Sequence, residues 1–128
     1  MTLYTGCIYL PRSKTHGIRA SVMSRHTLDD GITQDPRIID YDEHLVELAP
    51  PPKLVGDYYR RGLPWESYEM EYRSFLGKRE AMLYLLAERA HEYDITLLCK
   101  EETPEFCHRR ILAEELLRIF TNLQVQIE

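Results

Sequence analysis

The segment Ile95-Thr96-Leu97-Leu98-Cys99 constrains the fold of this chain more than any other. It is a short, nearly apolar run of strand length. Helical patterns flank it in the sequence, over residues 80–93 and 107–120. Such a run suits a central parallel strand that is covered on both faces. A helix between two strands is the βαβ unit, which builds a mostly parallel sheet with helices on its faces, so the alternation of strands and helices predicts an α/β fold.

Other segments complete this pattern. Residues 3–10 are rich in β-formers and stop at Pro11, residues 18–24 alternate apolar and polar side chains, and residues 123–127 alternate in the same way. Residues 38–41 are interpreted as a short edge strand or only an extended segment, and residues 44–49 are ambiguous. Helices are predicted over residues 53–61, from Pro64 to an interruption at Gly77, over 80–93 and over 107–120. We predict one domain, residues 1–128, with a small mixed or mostly parallel sheet and flanking helices.

The overall charge argues against several classes of protein. The chain has 128 residues and a net charge of −5, and the excess of acid lies in residues 65–128, which hold eight cations and 13 anions. Extended binding to nucleic acid is therefore not expected, because each phosphate contact needs a cation. There is no basic, apolar leader and no run of membrane-spanning length. Three cysteines are too few for a disulfide scaffold, so a cytoplasmic protein is expected.

Cysteines and basic residues bracket the loop that follows the central strand. Cys99 closes the strand, while Cys107, His108 and Arg109 open the next helix. Ligands of parallel sheets bind outside the carboxyl ends of the strands. A helix N-terminus there attracts anions and lowers the pKa of a thiol. The stretch therefore predicts a functional site.

Several chemistries fit these residues. In the first, Cys107 or Cys99 is a nucleophile, with His108, His26 or His91 as its base. In the second, an anionic small molecule, such as a nucleotide or nucleoside, binds to Arg109, Arg25 and the helix N-terminus. Tyr4, Tyr9 or Trp65 would then stack on a base. The glycines are scattered and form no phosphate-binding loop, so the cofactor stays unknown.

Two further alternatives stay open. Cys99, Cys107, His108 and Cys7 could bind zinc, but the spacing of the two cysteines and the histidine is not a usual zinc spacing, so no metal ligand is predicted. The chain could also be an interaction module in which the cysteines are simply packed, and Arg109 pairs with an acidic residue of the loop. The predicted site residues are Cys107, His108 and Cys99 for catalysis, and Arg109, Arg25, Glu101 and Tyr4 for ligand binding. The sequence does not predict the oligomeric state.

The pattern LLCKEETPEFCHRRILAEELL resembles the signature of the family named domain of unknown function 488. In that family a strand ends in Leu-Leu-Cys, a short acidic loop follows, and Cys-His-Arg opens a helix. LAPPPKLVGDYYRRG and the later pair Tyr68 and Tyr72 are similar to the family's middle region. The loop Thr27 to Tyr41 is longer and more acidic than the family pattern. The resemblance implies an α/β fold and implies no reaction.

Overall fold

The predicted central strand lies in the middle of a five-stranded sheet in which every pair is parallel. In the computed structural model, which describes residues 1–128, the strands are β1 (Thr2–Cys7), β2 (Ile18–Ser21), β3 (Glu43–His44), β4 (Ile95–Cys99) and β5 (Gln124–Gln126), in the order β3-β2-β4-β1-β5. All five residues of β4 are buried, as its apolar sequence requires. The α/β fold predicted from the sequence is confirmed.

Four helices cover one face of the sheet. They are α1 (Pro52–Arg61), α2 (Trp65–Gly77), α3 (Glu80–Glu92) and α4 (His108–Ile119), and a short 3-10 helix spans Val46–Leu48. Apolar side chains from all four helices form one core with residues of the sheet such as Leu3 and Leu97. None of the helices combines the length and the hydrophobicity that crossing a bilayer requires.

Loops, rather than helices, cover the other face. The Thr96 hydroxyl donates to the His16 carbonyl at 2.8 Å, and Leu98 packs in a second apolar cluster with Ile8 and Ile38. The buried Arg19 side chain donates to the carbonyls of Ile8, Leu10 and Asp40. Arg19 of β2 therefore satisfies backbone carbonyls of both loops, those after β1 and after β2, on this face.

Gly17 allows the β1–β2 loop to approach the turn before β4. Its φ is +66°, and a Cβ atom there would lie 2.1 Å from the Asp94 carbonyl oxygen. No other residue type fits that position without moving the backbone. The absence of a side chain at Gly17 therefore lets the loop pack directly against the start of β4.

Three strand predictions need correction. Residues 38–41 form no strand. The edge strand β3 is instead Glu43–His44, which begins just before the ambiguous segment 44–49 and includes its first residue. The second strand ends at Ser21 rather than Ser24, because the Ser21 hydroxyl accepts the Met23 N–H and turns the chain out of the ladder. The first strand ends at Cys7 rather than Leu10.

A buried histidine supports the loop between β2 and β3. The His26 ring stacks on His44 at 4.1 Å between ring centroids, and its Nε2 lies 2.7 Å from the Ser21 hydroxyl. Burial, with the neighbouring His44, lowers the pKa of His26 to about 4. His26 is therefore neutral in the folded protein at neutral pH.

This burial predicts a loss of stability in acid. In the unfolded chain His26 titrates near its ordinary pKa of about 6.5. The contribution of this residue to the free energy of unfolding is therefore fully present above that pH, and it is lost as the pH drops towards the pKa of the folded protein. From about pH 7 to about pH 4.5 the loss from this residue is about 2 kcal/mol. We expect His26→Gln to weaken the pH dependence of the free energy of unfolding, measured by urea unfolding at both pH values.

The matched control is His91→Gln, on an exposed part of α3, which should keep the wild-type pH dependence. Equal slopes in wild type and His26→Gln would contradict the prediction.

Candidate functional site

The end of β4 and the start of α4 meet at the carboxyl edge of the sheet. β4 ends at Cys99, α4 begins at His108, and Cys107 immediately precedes it. The sulfur atoms of Cys99 and Cys107 and a ring nitrogen of His108 all lie within 4.8 Å of one another. All three residues are buried. The structure thus brings together the three residues that the sequence predicted for catalysis.

The His108 ring is held in one orientation. Its Nε2 donates to the Val22 carbonyl at 2.7 Å, just beyond the end of β2. Its Nδ1 then carries the lone pair and lies 3.4 Å from the Tyr68 hydroxyl and 3.6 Å from Cys99 Sγ. Burial lowers the pKa of His108 to about 4, so the ring is a neutral acceptor at neutral pH.

The two thiols have different environments. Burial raises the pKa of Cys99 well above its ordinary value, and the hydrogen bond to Cys107 acts in the same direction. Burial alone would also raise the pKa of Cys107, but the hydrogen bond from Cys99 and the Arg109 guanidinium lower it. Of the two sulfurs, Cys107 is therefore the one that more readily becomes a thiolate.

Arg109 is fully buried and holds the surrounding loop together. Its guanidinium donates to the carbonyls of Glu101 at 2.6 Å, Glu102 at 3.4 Å and Glu128 at 3.2 Å, and to Cys107 Sγ at 3.4 Å. Backbone carbonyls, rather than the loop carboxylates, are thus its partners. These contacts fix the loop after β4 against the chain's last described residue.

A cavity of about 190 Å³ lies beside Cys99 and His108. Its walls come from one side of α1, including Gly56 and Tyr59, from the loop after β2, and from Lys100. Four cationic residues line it, against one acidic residue, Asp29; the cationic residues are Arg25, Arg60, Arg61 and Lys100. The cavity is therefore a local basic pocket in an acidic protein.

The remaining predicted ligand-binding residues lie at different places. Arg25 lines the cavity, whereas Arg109 and Cys107 do not. Glu101 does not line it, but its carboxylate accepts a hydrogen bond at 2.5 Å from the hydroxyl of Tyr59, which does. Tyr4 lies on the loop-covered face, where it stacks on His16 at 3.8 Å between centroids. Sequence reasoning missed Arg60, Arg61 and Lys100, although Tyr58-Tyr59-Arg60-Arg61 is visible as an aromatic and basic segment.

The buried contacts of Arg109 predict a structural requirement for its donors. Arg109→Met keeps the apolar stem and leaves the carbonyls of Glu101 and Glu128 without their donor. We expect it to lower the free energy of unfolding by about 3 kcal/mol, because buried hydrogen bonds to a charged group are lost. Chemical denaturation of both proteins measures the difference.

Arg118→Met is the matched control. Arg118 lies on the same helix, is largely exposed and pairs with Glu115 at 2.9 Å, so its loss should cost less than about 1 kcal/mol. An Arg109→Met protein as stable as the control would contradict the structural requirement.

A comparison with known protein families identifies the family of this chain. A family model described as the active DUF488-N3 subclade matches residues 3–119. No curated protein and no solved structure matches the chain significantly. Since the match covers nearly all of the sheet, the four helices and the Cys99–Cys107–His108 cluster, the chain belongs to the DUF488 family.

Proposed function

We propose that this protein binds a small anionic molecule in the basic pocket beside Cys99 and His108. One observation carries the proposal: three cationic side chains without a carboxylate partner converge on one cavity. These are Arg25, Arg60 and Lys100. In a protein with a net charge of −5, such a concentration of free positive charge favours a negative ligand.

The contacts of these cations leave their charge available. Arg60 donates to the Asp29 carbonyl at 2.8 Å, and Lys100 lies over the Tyr59 ring at 4.3 Å from its centroid. Neither contact neutralises a positive charge. Arg61 differs, since it pairs with Asp57 at 2.6 Å.

The size of the pocket indicates the class of ligand. Its volume of about 190 Å³ lies below the range of about 300–1,000 Å³ that is usual for drug-sized ligands. The cations converge on one cavity, although Arg25 and Arg60 are also exposed to solvent, and a small cavity favours a small molecule over a polymer. A phosphate or carboxylate group with a small body is the proposed ligand class. The three buried, unpaired cysteines suit a reducing compartment such as the cytoplasm.

A second candidate function is modification of the bound molecule by the Cys99 thiol. Cys99 and His108 both line the pocket, so this sulfur rather than Cys107 faces the ligand. The raised pKa of Cys99 keeps it a neutral thiol, and this thiol donates to Cys107, with His108 Nδ1 at 3.6 Å as a second acceptor. Binding therefore has the stronger support.

The binding proposal is tested with inorganic phosphate and pyrophosphate. We expect both anions to stabilise the wild-type protein against thermal unfolding. Lys100→Ala and Arg60→Ala should each weaken binding at least about tenfold, because each removes a hydrogen bond from a charged donor to the anion. Isothermal titration calorimetry gives the affinities.

Lys14→Ala is the control, because Lys14 is an exposed cation outside the pocket. It should bind as the wild type does. If neither anion stabilises the wild type, or if Lys14→Ala weakens binding as much as Lys100→Ala, the proposal is wrong.

A further inference from the structure

We propose that Cys99, Cys107 and His108 bind one zinc ion, whose fourth coordination position opens into the basic pocket. The proposal concerns the chemistry at the pocket wall. The inference that the fourth position is open to the pocket rests on the proposed anion-binding function, whereas the assignment of the three protein ligands is independent of it.

The donor set and its dimensions fit zinc. Two thiols and one imidazole are soft or borderline ligands, which favour zinc over magnesium or calcium. In a tetrahedral site with zinc–sulfur bonds of about 2.3 Å and zinc–nitrogen bonds of about 2.0 Å, sulfur and nitrogen lie roughly 3.5 Å apart. Cys99 Sγ and His108 Nδ1 are 3.6 Å apart, and the three donor atoms lie within 4.8 Å of one another, so a small closing of the cluster brings them around one ion.

The tautomer of His108 leaves one ring nitrogen for the ion. In protein zinc sites the second ring nitrogen usually donates to a carbonyl or carboxylate, which fixes the tautomer. Here Nε2 donates to the Val22 carbonyl at 2.7 Å, so Nδ1 is the nitrogen that binds zinc. Cys99 Sγ lies 3.6 Å from Nδ1 and 3.5 Å from Nε2, so the ring turns on metal binding to point the Nδ1 lone pair at the ion.

The surroundings also suit the charge of such a site. Zinc binding releases the two thiol protons to solvent, and two thiolates with a neutral imidazole then cancel the charge of the ion. The neutral unit is compatible with burial, whereas two bare thiolates are not. Arg109 Nη1, 3.4 Å from Cys107 Sγ, donates a hydrogen bond that stabilises this sulfur as a thiolate ligand.

Only three residues supply ligands in this cluster. The Cys7 thiol donates instead to the Lys100 carbonyl at 3.5 Å and is not part of the group. Cys99 and His108 line the pocket, so the fourth position lies on the pocket side. Three protein ligands with one open position is the arrangement of catalytic rather than structural zinc. An anion held by Arg60 and Lys100 could occupy that position.

The metal site is tested on the full chain, purified reduced and without chelators. We expect elemental analysis after zinc addition to give about one zinc per chain. Cobalt, added in place of zinc, should give thiolate charge-transfer bands and the intense d–d bands of a tetrahedral ion. Cys99→Ser and Cys107→Ser should lose both signals, and Cys7→Ser, the matched control, should keep them. Circular dichroism verifies that each variant is folded.

The outcomes separate the two proposals. A folded wild type that binds no zinc and no cobalt, or folded Cys99→Ser and Cys107→Ser proteins that bind as Cys7→Ser does, overturns the metal site. In that case phosphate binding measured on the metal-free protein still decides the anion proposal. With cobalt bound, phosphate should change the d–d bands in the wild type and not in Lys100→Ala. An unchanged wild-type spectrum overturns the open position and leaves the three-ligand site standing.

Discussion

The burial of β4 on both faces is the constraint on which the rest of this structure depends. A strand without a single exposed side chain must have a partner strand on each side and a cover above and below it. β1 and β2 supply the partners. The helices cover one face, and the loops after β1 and β2 cover the other. The same constraint brings Cys99 to a sheltered position, because the strand ends while it is still inside the core.

Two kinds of positive charge surround that position. Arg109 lies in the interior, and its hydrogen bonds to main-chain carbonyls give the loop between β4 and α4 one shape. Arg25, Arg60 and Lys100 line a cavity, with charge that no carboxylate neutralises. Arg109 fixes the conformation of the loop after β4, and the three other cations give the pocket a positive electrostatic potential. This division explains how an acidic protein can combine a rigid site with an attraction for anions.

The sequence predicted the parts of the molecule whose signals are local. The apolar run of β4 and the periodic helices were found within a few residues of their observed bounds, and the cluster of Cys99, Cys107 and His108 followed from the strand-end rule. The cover of the second face could not be predicted, because loops form it, and loop residues such as Ile38 follow no period. Arg60 and Lys100 are distant in sequence, so only the fold shows that they face one cavity. Tyr4 was placed at the site by residue type, but strand alternation puts it on the opposite face from Leu3 and Thr5.

The loop between β2 and β3 supplies one wall of the pocket and also packs in the smaller apolar cluster, which contains Leu98, Cys99 and Cys107. Ile38 belongs to that cluster, and the exposed residues Arg25, Leu28 and Asp29 of the same loop border the cavity. Substitutions among the exposed residues would therefore change the shape and charge of the pocket, whereas a change at Ile38 would reach the packing of the two cysteines. The buried side chains of this loop support the reactive residues, and its exposed side chains form a replaceable wall. A scaffold of this kind can diversify its ligand selectivity while it keeps one chemistry.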